Sequence, residues 1–79
     1  MAAKAYILIE TTVGRNKDIL RNLKLIKGVI SVDYVTGPYD IIAVVEAENL
    51  NDVGDLVTQA LHPVAGITRT TTCLCLKSN

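Results

Sequence analysis

Residues Val29–Ala47 read VISVDYVTGPYDIIAVVEA, and the fold turns on this stretch. Val29 to Thr36 is rich in β-branched residues, the side chains that suit a pleated surface. Gly37-Pro38-Tyr39-Asp40 then supplies turn chemistry: glycine for an unusual backbone shape, proline for a preset φ, and an aspartate that bonds nearby amides. Ile41 to Ala47 (IIAVVEA) resumes an apolar β pattern. A bend this short cannot carry a parallel crossover, which needs a dozen or more residues, so the two strands form an antiparallel hairpin.

Working outward, Ala5 to Thr11 (AYILIET) predicts a strand. Between Gly14 and Ile26 the apolar residues Ile19, Leu20, Leu23 and Ile26 form a helical stripe with charged residues opposite. Asn16 or a neighbour is the expected N-cap. Gly28 is the expected left-handed stop, following Lys24 and Lys27, whose charge suits the negative end of the helix. On the other side, Val53, Leu56, Val57, Ala60 and Leu61 predict a helix over Asn51–Leu61, with Asn51 as N-cap and Asp52 and Asp55 in the first turn. His62-Pro63 ends it, and Gly66 to Leu76 (GITRTTTCLCL) is the last strand. The order β-α-β-β-α-β over residues 1–79 makes one α+β domain. Its compact solution is the ferredoxin-like fold, a four-stranded antiparallel sheet with two helices on one face. The two halves share that order, but their sequences show no convincing match.

Helices on one face leave the other bare. A half-exposed strand alternates apolar with polar residues, yet both faces here are apolar. Ile30, Val32 and Tyr34 are expected to oppose Val29 and Val35, and Ile41, Ala43 and Val45 to oppose Ile42 and Val44. Such a patch is unusual for a monomer, so the chain is expected to form a dimer or larger ring through its sheet.

Composition narrows the function. The 79 residues are 49% hydrophobic with no Trp, no Phe and three Tyr, so Val, Ile, Leu and Ala must build the core. A chain of this size buries only about 60–65% of its unfolded surface, and association adds to its stability. Eight basic residues balance eight acidic ones, which argues against a nucleic-acid binder, since that role calls for a basic excess. The charges are segregated: Arg15, Lys17, Arg21, Lys24 and Lys27 lie together, while Asp33, Asp40, Glu46, Glu48, Asp52 and Asp55 follow without a base among them. Two solvated faces and docking between copies are both open readings. The apolar run Tyr6–Ile9 is too short for a secretory or membrane-spanning segment. Cys73 and Cys75 are poorly placed to bridge each other and read as small buried hydrophobes in a reducing cytosol. With His62 the only histidine, no metal set is expected.

Catalysis is not expected, because no nucleophile–base–carboxylate set and no phosphate loop is present. His62 reads as a helix-end or surface residue. The Gly37–Asp40 turn has two readings. Its backbone N–H groups could hold a carboxylate while Asp40 accepts from an ammonium group, or it is a hairpin bend with Asp40 bonding its own backbone. Thr68, Thr70 and Thr72 alternate on the last strand, so their hydroxyls form a row for a polar ligand or an ordinary β-rich edge.

Together, AYILIETTVGRNKDIL, GVISVDYVTGPYDIIAVVEA, NDVGDLVTQAL and GITRTTTCLCL resemble the effector-binding (RAM) domain of the Lrp/AsnC transcriptional regulators. VTGPYD and G-I-T-R-T-T-T carry most of the resemblance. It implies a subunit that dimerises through its sheet, with dimers assembling into rings such as an octamer and an amino acid bound between them. The implied ligand contacts are Gly37, Tyr39, Asp40, Thr70 and Thr72, with Pro38 carried over as shape only. No cofactor is implied. Family regulators place a helix-turn-helix before this domain, whereas only four residues precede the first strand here. The expectation is therefore a stand-alone cytoplasmic module that does not bind DNA itself, acting alone or by co-assembly with a full-length regulator. Competing expectations are a structural partner without a ligand and another ferredoxin-like regulator of the ACT type. An acylphosphatase-like or monooxygenase-like enzyme is disfavoured, since Arg15 and Asn16 lack the glycine-rich loop of a phosphate cradle.

Overall fold

A computed structural model of the chain describes residues 2–12, 14 and 16–77. The strands are β1 (Ala3–Thr11), β2 (Val29–Tyr34), β3 (Ile41–Ala47) and β4 (Ile67–Leu74). Helix α1 spans Asn16–Lys24, and helix α2 spans Leu50–Asp55 and continues as a π-helical segment, Leu56–Leu61. The sheet order is β2-β3-β1-β4 with every neighbouring pair antiparallel. This is the ferredoxin-like arrangement expected from the sequence.

The core lies between one sheet face and both helices. Ala5, Ile7 and Ile9 of β1 stand opposite Val45, Ala43 and Ile41 of β3, and all six are fully buried. Residues directly opposite in an antiparallel pair share a face, so these six make one continuous apolar floor. Ile19 and Leu23 of α1 and Val53, Val57 and Leu61 of the second helix close over it. Among the described residues, aliphatic side chains alone fill this core.

Three local features depart from the sequence reading. Helix α2 begins at Leu50 because Asn49, not Asn51, is the cap: its side chain accepts the Asp52 N–H at 3.0 Å. Both are asparagines, but Asn49 has the extended backbone (φ −149°, ψ 175°) that a cap needs. The Asn16 side chain expected to cap α1 lies outside the described residues. The expected alternation in β2 also fails. Val29 faces Val45 and Ser31 faces Val44, leaving Ile30 as the extra residue of a β-bulge, 59% exposed. The bulge turns Val29 to the same side as Val32, which is opposite Ala43 and buried.

Gly28 does not stop α1 directly. It sits at φ +98° in the turn Ile26–Val29, where the Val29 N–H donates to the Ile26 carbonyl at 3.2 Å. The Gly28 carbonyl accepts the Glu46 N–H at 2.8 Å. The second half of the chain repeats this device. Gly66 lies at φ +97° in the turn Val64–Ile67, its carbonyl accepts the Thr12 N–H at 2.8 Å, and Thr68 is the extra residue of the following bulge. The halves are thus related by backbone geometry where their side chains show no repeat.

Two glycine substitutions should move stability in opposite directions. Gly28→Ala adds a Cβ 3.1 Å from the Glu46 carbonyl oxygen and 3.2 Å from Leu56 Cδ2 at a positive φ, and should cost at least ~1 kcal/mol. Gly54→Ala, inside α2 with open space around it, should add about 0.5–1 kcal/mol through helix propensity. Urea unfolding at matched concentration measures both. A stabilising Gly28→Ala would contradict the turn geometry.

Candidate functional site

The Gly37–Asp40 turn closes one end of the sheet. Gly37 adopts φ +136°, which side-chain-bearing residues rarely accept. Asp40 anchors the turn on both sides: its N–H donates to the Ile9 carbonyl at 2.9 Å, and its carbonyl accepts the Val35 N–H at 3.0 Å. Its carboxylate reaches neither its own backbone nor solvent alone. Oδ2 accepts the Thr11 N–H at 2.8 Å and the Thr11 hydroxyl at 3.2 Å. Asp40 therefore ties the hairpin to the end of β1, across 29 residues of sequence.

On the far side of β1, Thr70 stands opposite Ile9, just as Ile41 does on the near side. Asp40 and Thr70 thus flank the same short segment of β1, roughly two strand spacings (~10 Å) apart. The Thr70 hydroxyl lies 3.4 Å from Nδ1 of His62. His62 follows the π-helical segment, where its N–H donates to the Val57 carbonyl at 2.7 Å. Thr72 stands opposite Ile7, one step further from the turn, and is exposed. Thr68 is lost from the expected threonine row, because the bulge turns it aside and its hydroxyl donates to the Glu10 carbonyl at 3.1 Å. The Thr11 clamp and the His62–Thr70 contact were not read from the sequence. Pro63, which ends the helix and returns the chain, is the signal that could have suggested the second.

Two clefts of about 570 and 590 Å³ open at the opposite end of the sheet, and none of Gly37, Tyr39, Asp40, Thr70 or Thr72 lines either. The first is framed by Lys27, Gly28, Glu46, Glu48, Asp52 and Leu56. The second lies beside Leu50, Leu74 and Leu76.

The sheet face away from the helices has its own pattern. Following the register, Tyr6, Leu8, Ile42, Val44, Thr71 and Cys73 form its centre. Charged cross-strand pairs lie at its two ends: Lys4 opposite Glu46, and Glu10 opposite Arg69, with Arg69 Nε 3.9 Å from Glu10 Oε2. Lys4 Nζ also sits 5.4 Å from the centre of the Tyr6 ring. An apolar centre with a charged rim is how protein interfaces are built. The cysteines correct an expectation here. Cys73 is exposed and Cys75 only half-buried, because β4 is an edge strand and Cys73, opposite Tyr6, points to the face without helices. Among the described residues, no helix is long and apolar enough to cross a membrane.

Comparison with known proteins agrees with this architecture. The family model described as the Lrp/AsnC ligand binding domain matches residues 4–79. The structure of TTHA0845 from Thermus thermophilus is 30% identical, with 98% of this chain and 96% of that one covered at a TM-score of 0.90. Escherichia coli AsnC is 19% identical, with 96% of this chain and 52% of that one covered at a TM-score of 0.91. The transcriptional regulator NMB0573 of Neisseria meningitidis, in complex with L-Met, is 18% identical, with 95% and 50% covered at a TM-score of 0.86. The chain therefore spans about half the length of these two regulators, whose likeness at this identity is one of fold. No curated protein matches in a comparison of sequences. With a family match running over nearly its whole length, the chain belongs to the Lrp/AsnC ligand binding domain family.

Proposed function

We propose that this chain is a self-assembling, amino-acid-binding regulatory module that acts in the cytoplasm without contacting DNA itself. The observation that carries the reading is the convergence of the Gly37–Asp40 turn and Thr70 on one segment of β1. An α-amino acid offers a carboxylate and an ammonium group. Backbone N–H groups of the turn suit the first and Asp40 the second, with Tyr39 beside them. A carboxylate has about four acceptor sites, so the Thr11 contacts leave Asp40 further capacity. Thr70 and Thr72 add hydroxyls that serve as donor or acceptor. In one subunit these groups lie on either side of β1, so the pocket is completed by a neighbouring copy. The L-Met complex of the N. meningitidis regulator, a protein of the same fold, supports an amino acid as the ligand class.

Self-assembly begins at the open sheet face. Tyr6 is 38% exposed on it, and Leu8, Ile42 and Val44 surround it without a helix to cover them. Pairing two such faces gives a homodimer, and dimers joined through the ligand site give a ring such as an octamer. The module then tunes transcription or amino-acid metabolism through a full-length regulator of the family. A second reading, a structural co-assembly partner without a ligand, draws on the Thr11 clamp, since it gives Asp40 a purely structural task.

Thermal shift against the twenty amino acids at millimolar concentration should find at least one that stabilises the protein. Thr72→Val should then weaken calorimetric binding about tenfold, the equivalent of one hydrogen bond, while the ligand-free melting temperature stays put. No stabilising amino acid would leave the structural-partner reading, which a purified full-length regulator tests by mixing and sedimentation.

The dimer is tested separately. In the ultracentrifuge the wild type should sediment as a dimer or larger, and Leu8→Lys should shift it to a folded monomer. A wild type that is itself a folded monomer at micromolar concentration would sink the sheet-face contact.

A further inference from the structure

We infer, resting on the amino-acid site proposed above, that His62 governs that site through its proton. The neutral ring makes the Thr70 hydroxyl an acceptor; the protonated ring makes it a donor and adds the positive charge that a ligand carboxylate needs.

The strand register brings the two residues together. Thr70 stands opposite Ile9, which is fully buried beneath the helices, so Thr70 points to the helix side of the sheet. On the edge strand β4 it is half-buried, whereas His62 is exposed. The ring reaches over from the end of the second helix and sets Nδ1 3.4 Å from Thr70 Oγ1. That helix end is wound wide: the His62 N–H donates to the Val57 carbonyl, not to that of Thr58 as in an α-helix. Wide turns of this kind are rare and concentrate at functional positions. Among the described residues, the hydroxyl of Thr70 is the one hydrogen-bond partner of the ring.

A threonine hydroxyl has one proton to donate and two lone pairs, and a neutral imidazole accepts at one nitrogen. With Nδ1 bare, the Thr70 proton is taken by the ring, and Thr70 shows a ligand only lone pairs. Protonation turns Nδ1 into a donor. The Thr70 oxygen then accepts from the ring, and its own proton turns to the ligand. Charge acts in the same direction. Tyr39, Thr70 and Thr72 are neutral, Asp40 is an acid, and no Lys or Arg occurs between Gly28 and Thr68. Arg69 projects to the open face, 3.9 Å from Glu10. The other charged groups around His62 are Asp55 earlier on its own helix, Lys17 and Asp18 in the first turn of α1 at the same end of the sheet, and Asp40 across β1. Among the described residues none of them is ion-paired with the ring. Imidazole is the side chain whose charge ordinarily changes between about pH 5 and 8, so His62 is the group that can give this site a cation.

Calorimetry of the full chain at about pH 7.5 and about pH 5.5, on either side of the ordinary imidazole range, tests the proposal. The probes are the amino acids with uncharged side chains, L-methionine among them, which keep their zwitterionic form across this window. Binding should be about tenfold tighter at the lower pH, the gain of replacing a neutral hydrogen bond by a charge-assisted one. His62→Asn should show no such rise. Thr70→Ser, which keeps the hydroxyl, should rise as the wild type does, and Thr70→Val should rise less. His62 is the only histidine, so its ring signals in NMR report its proton directly, and ligand added at about pH 6.5 should move them toward the protonated position, because linkage is reciprocal. Binding that is flat with pH, or that rises equally in His62→Asn, overturns the role of His62 and leaves the amino-acid site standing. No binding at either pH overturns both.

Discussion

The structure depends on one constraint: two helices cover one face of a four-stranded sheet and cannot cover the other. Ala5, Ile7 and Ile9 alternate along β1 beneath the helices, so Tyr6 and Leu8 must alternate outward. A register slip by a single residue would exchange the two sets. The paired burial of Ile9 with Ile41, Ile7 with Ala43 and Ala5 with Val45 resists that slip. Fixing β1 against β3 also fixes what surrounds them. The hairpin turn must end beside Ile9, β4 must carry Thr70 past the same residue, and the apolar centre of the open face must lie back to back with the core.

The architecture was legible in the sequence because its signals are periodic. A short apolar, β-branched run marked β3, a helical stripe marked each helix, and the short GPYD bend allowed only a hairpin. Departures occur where a single hydrogen bond or one extra residue decides. Asn49 and Asn51 are chemically identical as caps, and only the backbone entering from β3 distinguishes them. Ile30 looks like an inward strand residue, yet the bulge makes it the extra one. Thr68 is lost from its row for the same reason in the other half. A bulge shifts the phase of alternation without changing composition, so a pattern of apolar residues cannot reveal it.

The candidate site was legible as residue types and much less so as geometry. The turn and the threonines of β4 stood out, but nothing in their spacing said that both flank Ile9, since that follows from the strand order. Nor could the sequence choose between the two readings of Asp40. The structure makes its carboxylate a clamp on Thr11, a long-range contact that neither reading contained. The clamp bears on function. A side chain already held by two hydrogen bonds loses little freedom when a ligand arrives, and such preorganisation lowers the cost of binding. Holding the hairpin to β1 and presenting an acceptor are compatible tasks for one aspartate.

A small subunit whose helices leave one apolar sheet face bare is suited to the proposed coupling of ligand binding to assembly. A ligand held between copies contacts the assembled state more fully than the free subunit, so its binding must favour association. Linkage makes the effect reciprocal: whatever strengthens assembly strengthens ligand affinity by the same factor. In the proposed assembly the sheet contact is apolar and resists salt, so the basic unit would persist while the ligand shifts the balance between small and large species.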